Sequence, residues 1–255
     1  MKTAPSIFAT EPYLGMSEKY SFIPTFEVLD RLKAKGWLPV RANEQKSRSE
    51  EKHGFTKHMI RLRKNDAPVM VGDTITEIVL VNAHDGGAAY QMFAGLFRLV
   101  CSNGLTVDDA TFERISIRHS GDVIGNVLYA AKHIIKDVPR LSGAVRKMRS
   151  IELKPAARTA FAEAALDLKY DRDEVTNKSL APITSEQLLL PRRSDDTSAD
   201  LWTTYNVIQE NLMRGNQRGR SHGRTHRRVH TRPVQSVDTD IRLNRALWTL
   251  AQHLR

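Results

Sequence analysis

The chain has one cysteine, Cys101, which excludes a disulfide framework and a cysteine-rich metal site. No stretch approaches the ~18 uninterrupted apolar residues that a membrane-spanning helix needs. Residues Met1 to Pro12 lack the charged-then-apolar pattern of a secretory leader. The expected setting is therefore cytoplasmic, with no membrane partner. No phosphate-binding loop, dinucleotide fingerprint or zinc-protease motif is present, and the scattered carboxylates form no nuclease pattern. No catalytic residue, cofactor or metal is expected. Aromatic residues make up only 7% of the sequence. The most telling absence is local: between Asn211 and Val237 there is no Asp or Glu.

That acid-free stretch holds seven arginines, Arg214, Arg218, Arg220, Arg224, Arg227, Arg228 and Arg232. They supply most of the net charge of +10 in about a tenth of the 255 residues. A surplus of this kind speaks about partners rather than fold, and it points to nucleic acid or an acidic protein surface. Arginine rather than lysine matters here, because a planar guanidinium matches phosphate oxygens in a fork and stacks on bases. Gly215, Gly219 and Gly223 oppose a helix and Pro233 closes the run. The alternation of Thr225-His-Arg-Arg-Val-His-Thr-Arg232 suggests a β-hairpin as readily as a loop. The bland alternative is a solvated loop that aids solubility. No aromatic side chain lies among these arginines, which favours backbone contact over sequence reading.

Hydrophobic content of 40% and charged content of 27% are ordinary for a globular protein. Residues 1–20 read as an extended lead-in. Thr25 is placed to cap a helix that Gly36 stops, and Trp37 to Val40 starts an extended run. Strands are expected over Phe55–Leu62, over Ile75–Asn82 (buried on both faces) and over Phe112–His119. Tyr90, Phe93, Phe97 and Val100 fall at helical spacing, predicting a helix over Ala88–Cys101 that ends at Gly104. The second half reads as helical: Asp122–Val138 with Pro139 forcing a break or kink, then Leu141–Met148, Pro155–Leu168, a short helix from Thr184, Leu201–Leu212, and a last helix from Asp238 or Thr239. The expected fold is α+β, with a small, mainly antiparallel sheet in the N-terminal half, a helical C-terminal half and a basic loop or hairpin arm. One large domain is expected: lead-in 1–20, α+β core 21–150, and a helical region 151–255 packed on it with the arm at 214–235.

Weaker candidates stand beside the arginine segment. A second basic cluster comprises Arg41, Lys46, Arg48, Lys52, Lys57, Arg61, Arg63 and Lys64, against Glu44, Glu50 and Glu51. On a strand, Lys57, Arg61 and Arg63 share one face, either as a second wall for nucleic acid or as a solvated sheet face. His222, His226 and His230 have metal-ligand spacing only on a helix, which the surrounding glycines oppose. Asn82-Ala-His84-Asp85-Gly86 follows the central strand, and its His–Asp pair fits acid–base chemistry, metal ligation or a polar turn that caps the next helix. Cys101 reads as a small buried hydrophobe.

The run Ile78-Val-Leu-Val-Asn-Ala-His-Asp-Gly-Gly, then Phe93-Ala-Gly-Leu-Phe-Arg-Leu-Val-Cys-Ser-Asn-Gly-Leu105, resembles the domain-of-unknown-function 932 family. So do Asp240-Ile-Arg-Leu-Asn-Arg-Ala-Leu-Trp248 and the opening Tyr20-Ser-Phe-Ile-Pro-Thr with Gly36-Trp37. The resemblance covers most of the chain and implies a protein of phages, plasmids or integrated elements, without a settled activity. Two roles then fit the charge. One is binding or annealing of single-stranded DNA in recombination, repair or replication, with a homo-oligomer as an open option. The other is counter-defence, an anti-CRISPR or anti-restriction protein that binds a host defence complex.

Overall fold

Pro24 fixes the backbone just ahead of α1 (Thr25–Lys33) and takes the N-cap position. Glu27 in the first turn and Arg31 and Lys33 in the last complement the helix dipole. Val28, Leu29 and Leu32 are buried at helical spacing. The expected Thr25 cap is not made: the Thr25 hydroxyl turns inward, to His58, His84 and Asn82.

The computed structural model describes residues 4–18, 20–47, 49–65, 70–71, 74–98, 104–106, 115–117, 122–222 and 227–254. Cys101, Arg48, Arg224 and His226 lie outside the described residues, as does most of the strand expected over 112–119. The chain divides into two units, Met1–Leu141 with Ser236–Asp238, and Ser142–Gln235 with Thr239–Arg255.

The first unit is built on an antiparallel sheet. Its strands are β1 (Trp37–Glu44), β2 (His58–Lys64), β3 (Met70–Val71), β4 (Thr74–Asn82), β5 (Tyr90–Arg98), β6 (Gly104–Thr106) and β7 (Ile115–Ile117). The order is β1-β2-β4-β5-β6, with β3 paired to β4 and β7 to β5. Strand β1 tolerates Pro39 because it is an edge, and the register slips between Pro39 and Arg41. Strand β4 is buried along both faces from Ile75 to Asn82. Ile60, Leu80 and Met92 stack across three strands on one face, while Met59, Val81 and Phe93 point the other way. The start of α1 meets the first of these faces, where the Tyr90 hydroxyl also donates to the Ile23 carbonyl at 2.9 Å.

The helix expected over Ala88–Cys101 is instead strand β5, paired with β4 from Thr74↔Arg98 to Val81↔Gln91. Apolar residues at 90, 92, 93 and 94 satisfy both periods, and all four are buried. Gly95 weakens a helix by ~1 kcal/mol, and the ladder offered by β4 decides the matter. Residues 83–89 then form the hairpin turn, with Gly86 at φ 75°.

Pro139 does not end the following helix either. Helix α2 (Val123–Arg149) runs through it, with Asp122 Oδ1 accepting from the Gly125 N–H at 2.9 Å. An interior proline costs about 3 kcal/mol, and burial of Val127, Ala130, Ala131, Ile134, Val145 and Met148 on either side offsets it.

The second unit is helical. It contains α3 (Pro155–Asp167), α4 (Ser185–Leu188), α5 (Leu201–Arg214), the strands β8 (Arg218–Arg220) and β9 (Arg228–His230), and most of α6 (Val237–His253). Pro155 opens α3, a capping box from Thr184 and Gln187 opens α4, and Asp200 caps α5 by accepting from the Thr203 N–H at 2.8 Å. An aromatic cluster centres on Tyr205: Trp202 stacks on it at 5.8 Å and Trp248 meets it edge-on at 6.0 Å. The fold is thus α+β, with the sheet in the N-terminal half, helices dominating the C-terminal half, and the basic segment formed as a hairpin. No helix among the described residues is long and apolar enough to cross a membrane.

Candidate nucleic-acid interface

The acid-free segment leaves α5 through Gly215, whose φ of 59° suits glycine. A Cβ there would sit 2.6 Å from the Arg232 carbonyl carbon, so the chain passes too close for any other residue. Strands β8 and β9 then pair antiparallel as Arg218↔His230, Gly219↔Val229 and Arg220↔Arg228. Directly opposed residues share a face, so Arg218, Arg220, Arg228 and His230 stand together and all are exposed. Their Cβ atoms span a rectangle of about 5 by 7 Å. Gly219 and Val229 take the opposite, half-buried face.

The hairpin is fastened to the helical unit rather than loose. The Arg220 N–H donates to the Pro182 carbonyl at 2.8 Å, and a Cβ on Gly219 would meet that oxygen at 2.0 Å. Gln187 Nε2 donates to the Arg218 carbonyl, and Gln217 Nε2 to the Gln187 carbonyl. His222 bonds to the Ala181 carbonyl, which commits it to the hairpin's footing. Lys169 Nζ donates to the carbonyls of Leu212 and Arg232 at 2.6 and 2.8 Å, tying the end of α5 to the hairpin's exit. Burial pulls the Lys169 pKa down to about 8. A cleft of about 850 Å³ borders the hairpin, lined by Pro182, Thr184 and Gln187 together with Arg218, Arg220 and Arg228.

The seven arginines of this segment do not stand alike. Arg214 pairs with Glu210 at 2.7 Å, and Glu210, almost fully buried, also holds Arg193 at 2.6 Å. Arg214 therefore shares with Arg193 a carboxylate that lies just outside the segment. Arg227 and Arg232 are exposed near the two ends of β9. Among the described residues, no carboxylate lies within ion-pair distance of Arg218, Arg220, Arg227, Arg228 or Arg232. They present a patch of uncompensated guanidinium groups.

The second basic cluster has a different electrostatic fate. Arg61 is buried, and its Nε donates to Glu77 Oε2 at 2.6 Å. Arg63 donates through Nε and Nη2 to Glu77 Oε1 at 3.0 and 2.7 Å. Burial lowers the Arg61 pKa, and Glu77 opposes the shift. Lys57 Nζ sits 2.8 Å from both oxygens of Asp238. These three cations share a region of the sheet, but each engages a carboxylate of its own unit.

The turn after β4 holds a network that sequence reasoning missed. Thr25, His58, Asn82 and His84 are all fully buried. Thr25 Oγ1 lies 2.9 Å from His58 Nε2, 3.1 Å from His84 Nε2 and 3.0 Å from Asn82 Nδ2. His58 Nδ1 faces the Thr56 carbonyl at 3.1 Å, so it carries the proton and its Nε2 accepts from the Thr25 hydroxyl. Donor–acceptor balance then makes His84 Nε2–H and Asn82 donors to the same oxygen. Burial drives the His58 pKa down to about 4. The available signal was a histidine and an asparagine bounding the two strands, and the register pairs them as His58↔Asn82. Asp85, the other half of the His–Asp pair, accepts from the Gly87 N–H at 2.9 Å and shapes the turn, which leads into a strand and caps no helix. Among the described residues, no group of three or more His, Cys, Asp or Glu side chains is arranged to hold a metal ion.

The sequence matches the family described as Domain of unknown function (DUF932) over residues 14–248, and the chain belongs to that family. It is 40% identical to the UPF0380 protein YafZ of Escherichia coli (strain K12) over 253 residues, 99% of this chain and 89% of that protein. It is 39% identical to the UPF0380 protein YfjQ of the same strain, with the same coverage of each chain. No solved structure gives a significant match.

Proposed function

We propose that this chain is a nucleic-acid-binding protein of a mobile element. Its role is to bind or anneal single-stranded DNA in the cytoplasm during recombination, repair or replication. The observation that carries this reading is the pair Arg220↔Arg228. Like charges directly opposed across two strands are destabilising, and here no carboxylate among the described residues relieves them. The opposition Arg41↔Arg61 in the sheet shows the contrast, because there buried Glu77 pairs with Arg61 from within the fold. A local conflict kept without internal relief is what a site for an external polyanion looks like. Exposed guanidinium groups at ~5–7 Å spacing suit phosphate oxygens and give salt-dependent affinity.

Fluorescence-anisotropy titration with single- and double-stranded oligonucleotides at several salt concentrations tests the reading. Binding that weakens steeply with salt and favours single strands is expected; negligible binding to both at low salt overturns it. The runner-up is a counter-defence protein whose partner is a host defence complex. Capture of a host complex that survives nuclease treatment, with no binding to free oligonucleotides, would move the assignment there.

A further inference from the structure

We infer that the exposed face of α2 around Tyr129 is a stacking surface for unpaired nucleobases, separate from the arginine hairpin. It rests on the nucleic-acid reading above and specifies which part of the ligand a second surface contacts. Tyr129 is 61% exposed, whereas Tyr90, Phe93, Trp202, Tyr205 and Trp248 are buried. A lone exposed aromatic residue needs no explanation. Tyr129 has company: the His133 ring backs it at 4.1 Å with a 39° tilt, holding one face of the ring and leaving the other side to solvent.

Lys132, Lys136 and Arg140 follow at i+3, i+7 and i+11 and are all exposed. At 3.6 residues per turn these positions lie within about 80° of one another on the helix, along ~17 Å of its length. A backed aromatic ring beside a row of cations is the pairing by which single strands are held: the bases stack and the phosphates are neutralised. A duplex hides its base faces and cannot use the ring in this way. The surface also supplies the aromatic contact that the hairpin lacks.

The test compares wild type, Tyr129→Ala and Tyr129→Phe by fluorescence anisotropy on three labelled probes of equal length. These are oligothymidylate, an abasic oligonucleotide with the same backbone, and a duplex. Alanine is a good helix former, so α2 is kept. Tyr129→Ala will weaken oligothymidylate binding by roughly 5- to 100-fold, the effect of losing one base–aromatic stack. It will leave abasic and duplex binding within about twofold, while Tyr129→Phe binds like wild type. Lys132→Gln with Lys136→Gln will lower the salt slope on all probes containing single-stranded backbone by about 1.4. Unchanged oligothymidylate affinity in Tyr129→Ala overturns the inference, as does an equal loss on the abasic probe. If wild type binds and an Arg218, Arg220, Arg228 triple-alanine variant does not, yet Tyr129→Ala is neutral, only the stacking surface fails. If wild type binds no probe at low salt, both readings fail together.

Discussion

Lowering the pH from 7 to 4 will destabilise the fold through His58. The ring is fully buried, and its Nε2 accepts from a Thr25 hydroxyl that already receives hydrogen bonds from His84 and Asn82. Protonation would put a third donor against one oxygen and leave the Thr25 proton needing a new acceptor. Burial acts in the same direction. With a folded pKa of about 4 against the ordinary 6.5, the unfolded chain takes up a proton between those values that the native state refuses. Stability is therefore undiminished above pH 6.5, falls as the pH drops, and the loss is complete once the pH passes below 4. At ~1.4 kcal/mol per unit the loss is about 2 kcal/mol at pH 5 and about 3 kcal/mol below pH 4. Urea unfolding at pH 7, 6 and 5, in wild type and His58→Gln, measures it, because the other titrating groups are common to both proteins. Nuclear magnetic resonance of the ring nitrogens provides a second reading, with a neutral Nδ1–H tautomer expected throughout pH 5–7. A His58 that titrates near 6.5 in the folded protein, or a wild-type pH dependence parallel to that of His58→Gln, refutes the reasoning.

Other substitutions probe the remaining contacts. Glu77→Gln removes the carboxylate that Arg61 and Arg63 contact at 2.6 and 2.7 Å, and will cost about 3–5 kcal/mol in urea unfolding, because a buried guanidinium is left uncompensated. Gly219→Ala cannot be accommodated with Pro182 O 2.0 Å from the new Cβ. The hairpin will lift from residues 181–183, and the Arg220 amide, which donates to that oxygen, will lose its protection from hydrogen exchange. Amides of the aromatic cluster around Tyr205 will keep theirs.

The basic segment is legible as a loop or hairpin because its signals are local: an acid-free run, glycines that oppose helix, and alternation through Val229 and His230. Helices α3, α5 and α6 are legible for similar reasons, from Pro155 and from apolar spacing close together in sequence. Strand β5 is not, since buried residues at 90, 92, 93 and 94 satisfy two periods and only pairing with β4 separates them. Pro139 signals a break or a kink, and the helix is not broken because a long helix with apolar contacts on both sides of it tolerates a local cost that would break a short one. The pairing of Arg61 and Arg63 with Glu77 is beyond local reading: Glu77 lies 14 residues past Arg63, and only the β2–β4 register brings the carboxylate back. Thr25 reads as a cap because nothing local signals that His58 and His84 claim its hydroxyl.

The most direct test of the central claim is the salt dependence of single-stranded oligonucleotide binding in wild type and in the Arg218, Arg220, Arg228 triple-alanine variant. At a slope of ~0.7 per phosphate contact on a single strand, removal of three guanidinium contacts will flatten log K against log salt by about 2. Affinity at low salt will fall with it, while thermal stability stays the same or rises as the Arg220↔Arg228 repulsion is relieved. A variant that binds with wild-type affinity and wild-type slope would contradict the account.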